Sequence, residues 1–129
     1  MESLYRAAVQ VFENKDVDTN EFAVSQWEAY SGKENYDTKE LLHNLLSWMD
    51  GKGFDSIRCA TQIMIVPGFK FRIVDRLITN FHQPKSTLLL LLSAFIGDDW
   101  RKVYGYALEN GFRFLSYGDS CLFLHKKES

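Results

Sequence analysis

The sequence predicts a mixed α/β fold, a sheet with flanking helices, on three observations. Apolar residues recur at helical spacing in some stretches and alternate with period two in others, and the two kinds interleave along the chain. Turn-forming Gly, Asn, Asp and Pro punctuate the changes. The 129 residues are 46% hydrophobic and 25% charged with only two Pro, which excludes disordered and low-complexity classes and suffices for one core burying about two-thirds of the unfolded surface.

Residues 2–13 place Leu4, Ala7, Ala8, Val11 and Phe12 at helical spacing, so the first helix begins almost at the first residue, without a cap. Asn14 to Asn20 is a polar loop. Phe22 to Trp27 reads as a short strand, and residues 29–37 return to turn composition around Ser31-Gly32. Asp37 and Glu40 form a capping arrangement for a helix carrying Leu41, Leu42, Leu45, Leu46 and Met49, with Gly51 as its expected stop. Ile57 to Val66 predicts a strand covered on both faces in its second half. After Pro67-Gly68, the alternation of Phe69, Phe71 and Ile73 with Lys70 and Arg72 predicts its hairpin partner.

Ser86 is a good N-cap for a helix over Thr87 to Ile96 that is apolar nearly all round, hence expected buried, with Gly97 at its end. Asp98 is the expected cap of a further helix that stops at Asn110-Gly111. Phe112 to Ser116 and Ser120 to Leu124 then read as strands joined by Tyr117-Gly118-Asp119, and residues 125–129 form a polar tail. No repeat or linker divides the chain.

The formal net charge of −2 argues against a nucleic-acid binder built on overall basicity. The distribution is more informative. Six basic and eleven acidic residues precede position 67, whereas nine basic and six acidic follow it, so the second half has the sign suited to a phosphate-bearing partner. Cys59 and Cys121 lie in no Cys-x-x-Cys or Cys/His cluster, so no zinc site or dithiol chemistry is expected, and both are expected to be buried thiols. Met1-Glu2-Ser3-Leu4-Tyr5 has neither the basic nor the apolar region of a secretory signal, and Leu88 to Ile96 is too short to cross a bilayer. A soluble, cytoplasmic protein with no membrane partner is expected.

Chemistry concentrates in two segments. Thr79-Asn80-Phe81-His82-Gln83-Pro84-Lys85-Ser86-Thr87 brings amide, imidazole, ammonium and hydroxyls to a helix N-terminus, a seat for phosphate or carboxylate or simply a capped helix. His82 has the chemistry for proton transfer near neutral pH, though a lone histidine equally serves as a hydrogen-bonded structural residue. Arg113-Phe114-Leu115-Ser116-Tyr117-Gly118-Asp119 presents Tyr117 and Asp119 at an element edge, or is a plain hairpin turn with Gly118 at positive φ. Ser86, His82 and Asp119 compose a hydrolase triad only on paper, since there is no Gly-x-Ser-x-Gly elbow. No dinucleotide fingerprint or Walker loop occurs either.

On these residues the chain resembles the S-adenosylmethionine:tRNA ribosyltransferase-isomerases of queuosine biosynthesis. The matching strings are Pro67-Gly68-Phe69-Lys70-Phe71, Leu77 through Leu89, Ser93-Ala94-Phe95, Tyr106-Ala107 and Arg113 through Asp119, so the likeness is weak before residue 60 and strong after it. It implies that residues 1–129 are the C-terminal part of the α/β domain of a larger two-domain enzyme. A Gly-Thr-Thr-type loop, other N-terminal segments and a separate β-barrel domain would be absent.

The implied reaction transfers and isomerises the ribosyl moiety of S-adenosylmethionine, a cosubstrate, onto an aminomethyl-deazaguanine base in tRNA. Adenine and methionine leave, epoxyqueuosine forms, and no metal is needed. The resemblance implies His82 and Asp119 as catalytic candidates, Asn80, Ser86 and Tyr117 for the cosubstrate, and Lys70, Arg72, Lys85 and Arg113 for tRNA. Without the remainder the piece is expected to be inactive and, through exposed strand edges, to self-associate. The competing reading is a non-catalytic RNA-binding or protein-interaction module derived from the same family.

Overall fold

The structure is a computed structural model that describes residues 1–32 and 35–125. Parts of two expected features, positions 33 and 34 of the 29–37 turn and 126–129 of the tail, lie outside them. The chain forms two compact units, Met1–Met64 and a second beginning at Ile65. The division falls inside the run that reads as one continuous strand.

In the first unit the order is α1 (Glu2–Glu13), β1 (Glu21–Val24), α2 (Glu28–Ser31), α3 (Thr38–Lys52) and β2 (Arg58–Thr61). The strands β1 and β2 pair in parallel, Phe22 opposite Cys59 and Val24 opposite Thr61, a geometry that requires a long crossover, supplied by α2 and α3. Tyr5, Ala8, Val11, Phe22, Val24, Leu41 and Leu45 form the buried interior. The buried face of α1 is rotated from its expected phase: Tyr5 is inside and Phe12 is exposed beside Tyr36.

Asp37 caps α3 as expected, accepting from the Glu40 N–H at 2.9 Å. The stop is Gly53 rather than Gly51. Gly53 adopts φ +70°, and Phe54 N–H donates back to the Met49 carbonyl at 2.9 Å, so the left-handed residue closes the helix and Gly51 stays within it.

The second unit runs β3 (Arg76–Asn80), α4 (Thr87–Ile96), α5 (Asp99–Glu109) and β4 (Ser120–Leu124). Strands β3 and β4 are antiparallel, with Leu77 opposite Phe123 and Thr79 opposite Cys121. Phe81, Leu92, Phe95, Tyr104, Ala107 and Phe123 form the core beneath them.

The expected hairpin of 57–66 with 69–73 does not form. β2 spends its hydrogen bonds on β1, and beyond it the Gln62 and Met64 N–H groups donate to the Val24 and Gln26 carbonyls in the same parallel pattern, so residues 62–64 run on alongside β1. Phe69 and Phe71 share a parity because they pack together, centroids 4.9 Å apart, and Phe71 meets Phe95 at 4.9 Å edge to face. Their alternation reports aromatic packing, not strand pairing. The strand that does pair, β3, lies in the string otherwise notable for chemistry.

Four further expectations are corrected. Residues 112–116 form no strand: 112–114 are irregular, and a turn runs from Leu115 to Gly118, with Leu115 at φ +70° and the Gly118 N–H donating to the Leu115 carbonyl at 2.8 Å. α4 is capped by Ser86 as expected but buries only Leu92 and Phe95, leaving Leu88 and Leu90 exposed. Asp98 precedes α5 without a side-chain cap bond and pairs with Arg101 at 3.8 Å. Cys59 and Cys121 are free and half-buried rather than fully buried.

Candidate functional site

The two chemistry-bearing strings meet at the C-terminal end of β3. Asn80 donates both amide hydrogens to the loop, to the carbonyls of Leu115 at 3.1 Å and Ser116 at 3.2 Å, and its Oδ1 accepts from the Ser120 hydroxyl at 2.6 Å. The neighbouring backbone makes the same connection: Leu115 N–H donates to the Phe81 carbonyl at 2.8 Å and Phe81 N–H to that of Asp119 at 3.4 Å. The 113–120 loop is therefore strapped to the end of β3 through the side chain of Asn80 and the backbone of Phe81.

The loop is also closed on itself. Arg113 N–H donates to Asp119 Oδ2 at 2.8 Å, its guanidinium donates to Oδ1 at 3.1 Å, and Asp119 N–H returns to the Arg113 carbonyl at 2.9 Å. The backbone N–H of Arg113, then its side chain, hold the Asp119 carboxyl below its ordinary range, while Asp119 raises the guanidinium. Gly118 does not adopt positive φ; its need is space, since a Cβ there would lie 2.5 Å from the Arg113 carbonyl oxygen. Positive φ falls instead on Leu115 and, in the turn before α4, on Lys85 at 65°. This loop presents Tyr117 at 97% exposure.

His82 follows β3 and is half-buried. Its Nε2 lies 2.8 Å from Thr79 Oγ1, and its backbone N–H donates to the Tyr104 hydroxyl at 3.0 Å. Tyr104 is buried in α5 among the rings of Phe81, Trp100 and Phe114. Burial raises its phenol above the ordinary value, against a lowering by the His82 N–H. Thr79 and Tyr104 escaped the sequence reading as site residues, Thr79 because it lay unremarked inside the string and Tyr104 because it reads as one apolar position of a helix.

The structure thus brings Asn80, His82, Arg113, Tyr117 and Asp119 into one neighbourhood. Asn80 and Asp119 are engaged in shaping the loop: every polar side-chain atom of Asn80 and both Asp119 oxygens have protein partners. Ser86 accepts from the Leu88 N–H at 3.2 Å as the α4 cap, and Lys85 is exposed beside it. Lys70 and Arg72, exposed and half-buried, precede the opposite end of β3 from His82. Among the described residues no cluster of three His, Cys, Asp or Glu side chains is disposed to hold a metal, and no helix is long and apolar enough to cross a membrane.

Comparison with known proteins gives the family of the chain. An S-adenosylmethionine:tRNA ribosyltransferase-isomerase of Paraburkholderia phymatum is 49% identical over 80 residues, 61% of this chain and 23% of that protein. The enzyme of the same name from Paraburkholderia phytofirmans is 53% identical over 73 residues, 56% of this chain and 21% of that one. The matched stretches thus span under a quarter of these relatives. A crystal structure of S-adenosylmethionine tRNA ribosyltransferase from Thermotoga maritima aligns at TM-score 0.48 with 30% identity, over 67% of this chain and 38% of that one. The family model described as queuosine biosynthesis protein matches residues 38–123, a span that holds β3, the His82 turn and the whole 113–120 loop, and the chain belongs to that family.

Proposed function

We propose that this chain is the C-terminal part of the α/β domain of an S-adenosylmethionine:tRNA ribosyltransferase-isomerase, whose remaining segments and separate β-barrel domain complete the enzyme. The full enzyme would move and isomerise the ribosyl moiety of S-adenosylmethionine onto the aminomethyl-deazaguanine base of a tRNA, giving epoxyqueuosine. The observation that carries the reading is the Asn80 strap, which joins the two separated family strings into one site.

In this reading His82 transfers protons: it takes one from the sugar carbon beside the sulfonium and returns one to departing adenine. Asn80 and Asp119 act by holding the loop that carries Tyr117, and Tyr117 supplies an aromatic face for a base. The N-terminus of α4 at Ser86 faces a polar group of the cosubstrate. Lys70, Arg72, Lys85 and Arg113 contact tRNA phosphates, a role suited to the net basic half of the chain. The setting is cytoplasmic, where tRNA is found. Because matched relatives are over four times longer than the stretch they share with this chain, the isolated piece is inactive in this proposal.

The test is turnover of a precursor-bearing tRNA with S-adenosylmethionine by a full-length enzyme containing this segment. His82→Ala is expected to lower kcat by about a hundredfold or more. Normal turnover in that variant removes His82 from the mechanism, and full activity of the 129-residue chain alone overturns the need for the missing parts.

A further inference from the structure

We propose that Thr79 is a positioning residue for His82, setting the tautomer in which Nε2 carries the ring proton and Nδ1 is the bare nitrogen that receives one. The inference rests on the acid–base role proposed for His82 and adds to it the atom that reacts and the residue that selects it.

A neutral imidazole has one N–H, and the partner of one nitrogen decides the state of the other. Here Nε2 faces Thr79 Oγ1 at 2.8 Å, and the same oxygen lies 3.3 Å from the Asn80 carbonyl oxygen. Phe81 N–H bonds across to Asp119, which makes Asn80 and Ser120 a non-hydrogen-bonded pair, so the Asn80 carbonyl points away from β4. The Thr79 hydroxyl has a single proton to donate. Directed at that carbonyl, it leaves an oxygen lone pair facing Nε2, and the chain Nε2–H to Oγ1–H to O=C satisfies all three groups. The opposite order gives up the bond to the carbonyl.

The parts that hold this geometry are stiff. Thr79 is β-branched and sits opposite Cys121 in the β3–β4 ladder. His82 is anchored at its backbone by the buried Tyr104 hydroxyl. Among the described residues, the hydrogen bonds of His82 are these two, to Thr79 and to Tyr104. When Nδ1 takes a proton, the C–H bond breaks, its electron pair stays on carbon, and the imidazolium keeps Nε2–H directed at Oγ1. Delivery of the Nδ1 proton to the departing adenine nitrogen restores the starting tautomer. Thr79 touches no reacting atom; it acts through the ring.

Nitrogen-15 NMR of the histidine rings in the 129-residue chain, at a pH where the imidazole is neutral, reads the tautomer directly. The wild type is expected to show Nε2–H with Nδ1 bare, Thr79→Val a mixture of the two forms, and Thr79→Ser the wild-type pattern. An Nδ1–H form in the wild type, or an unchanged ring in Thr79→Val, overturns the proposal. In the full-length enzyme Thr79→Val is expected to lower kcat about tenfold with KM within twofold, restored by Thr79→Ser. If His82→Ala turns over normally, the acid–base reading fails on its own, and the ring spectra still decide whether Thr79 sets the tautomer.

Discussion

Gly118 packs so closely on Arg113 that no side chain fits between them: a Cβ on Gly118 would meet the Arg113 carbonyl oxygen at 2.5 Å and the Phe114 carbonyl carbon at 2.6 Å. The obstacle is backbone that is itself held by Asp119, so it cannot swing aside as a side-chain tip would. Gly118→Ala is expected to destabilise the second unit by about 2 kcal/mol, the ordinary cost of overpacking. Denaturant unfolding followed at Trp100 measures it, and an unchanged midpoint would show that the loop opens at no cost.

The Asn80 strap predicts a local rather than global response. Asn80→Ala removes two donors and one acceptor at a partly solvated site and is expected to cost about 2 kcal/mol, at roughly 1 kcal/mol or less for each lost bond. Asn80→Asp keeps the acceptor for Ser120 but turns a carboxylate toward two carbonyls, so it should cost at least as much. Hydrogen exchange is the measurement: the Leu115 and Gly118 amides should lose protection before those of β4.

Asp119 supplies a pH dependence of definite sign. Its folded carboxyl lies below the ordinary 3.8, so it contributes stability above the unfolded value, and that contribution fades as pH falls through the lower, folded value. Asp119→Asn should therefore be less stable than wild type at neutral pH, with the gap closing below about pH 3.8. A gap that stays constant into acid would mean that the Arg113 pairing does not depend on ionisation.

The solvent side of the β3–β4 sheet carries an apolar patch. Ile78 at 72%, Leu122 at 54% and Leu124 at 62% exposure share one face with Arg76, Asn80 and Ser120, and a two-stranded sheet of this kind is marginal by itself. The 129-residue chain is expected to self-associate at high concentration, with Leu122→Lys shifting it toward monomer. Sedimentation that finds only monomer at every concentration contradicts this.

What the sequence determined by itself was the local part of the fold. The caps at Asp37 and Ser86 and the four longer helices depend on contacts within a few residues, and they lie where composition and spacing put them. The family strings lie within residues 38–123, the span that the queuosine biosynthesis family model matches. Tertiary structure decided the partners. Parallel pairing of β1 with β2 displaced the expected hairpin, Phe69 and Phe71 alternated for the sake of packing, and β3 was hidden because its Thr79-Asn80 end reads as polar chemistry. Gly118 illustrates the difference most simply. Its place in a turn was legible, but the reason for it was not, because φ preference is a property of one residue while crowding by Arg113 exists only once the chain has folded back.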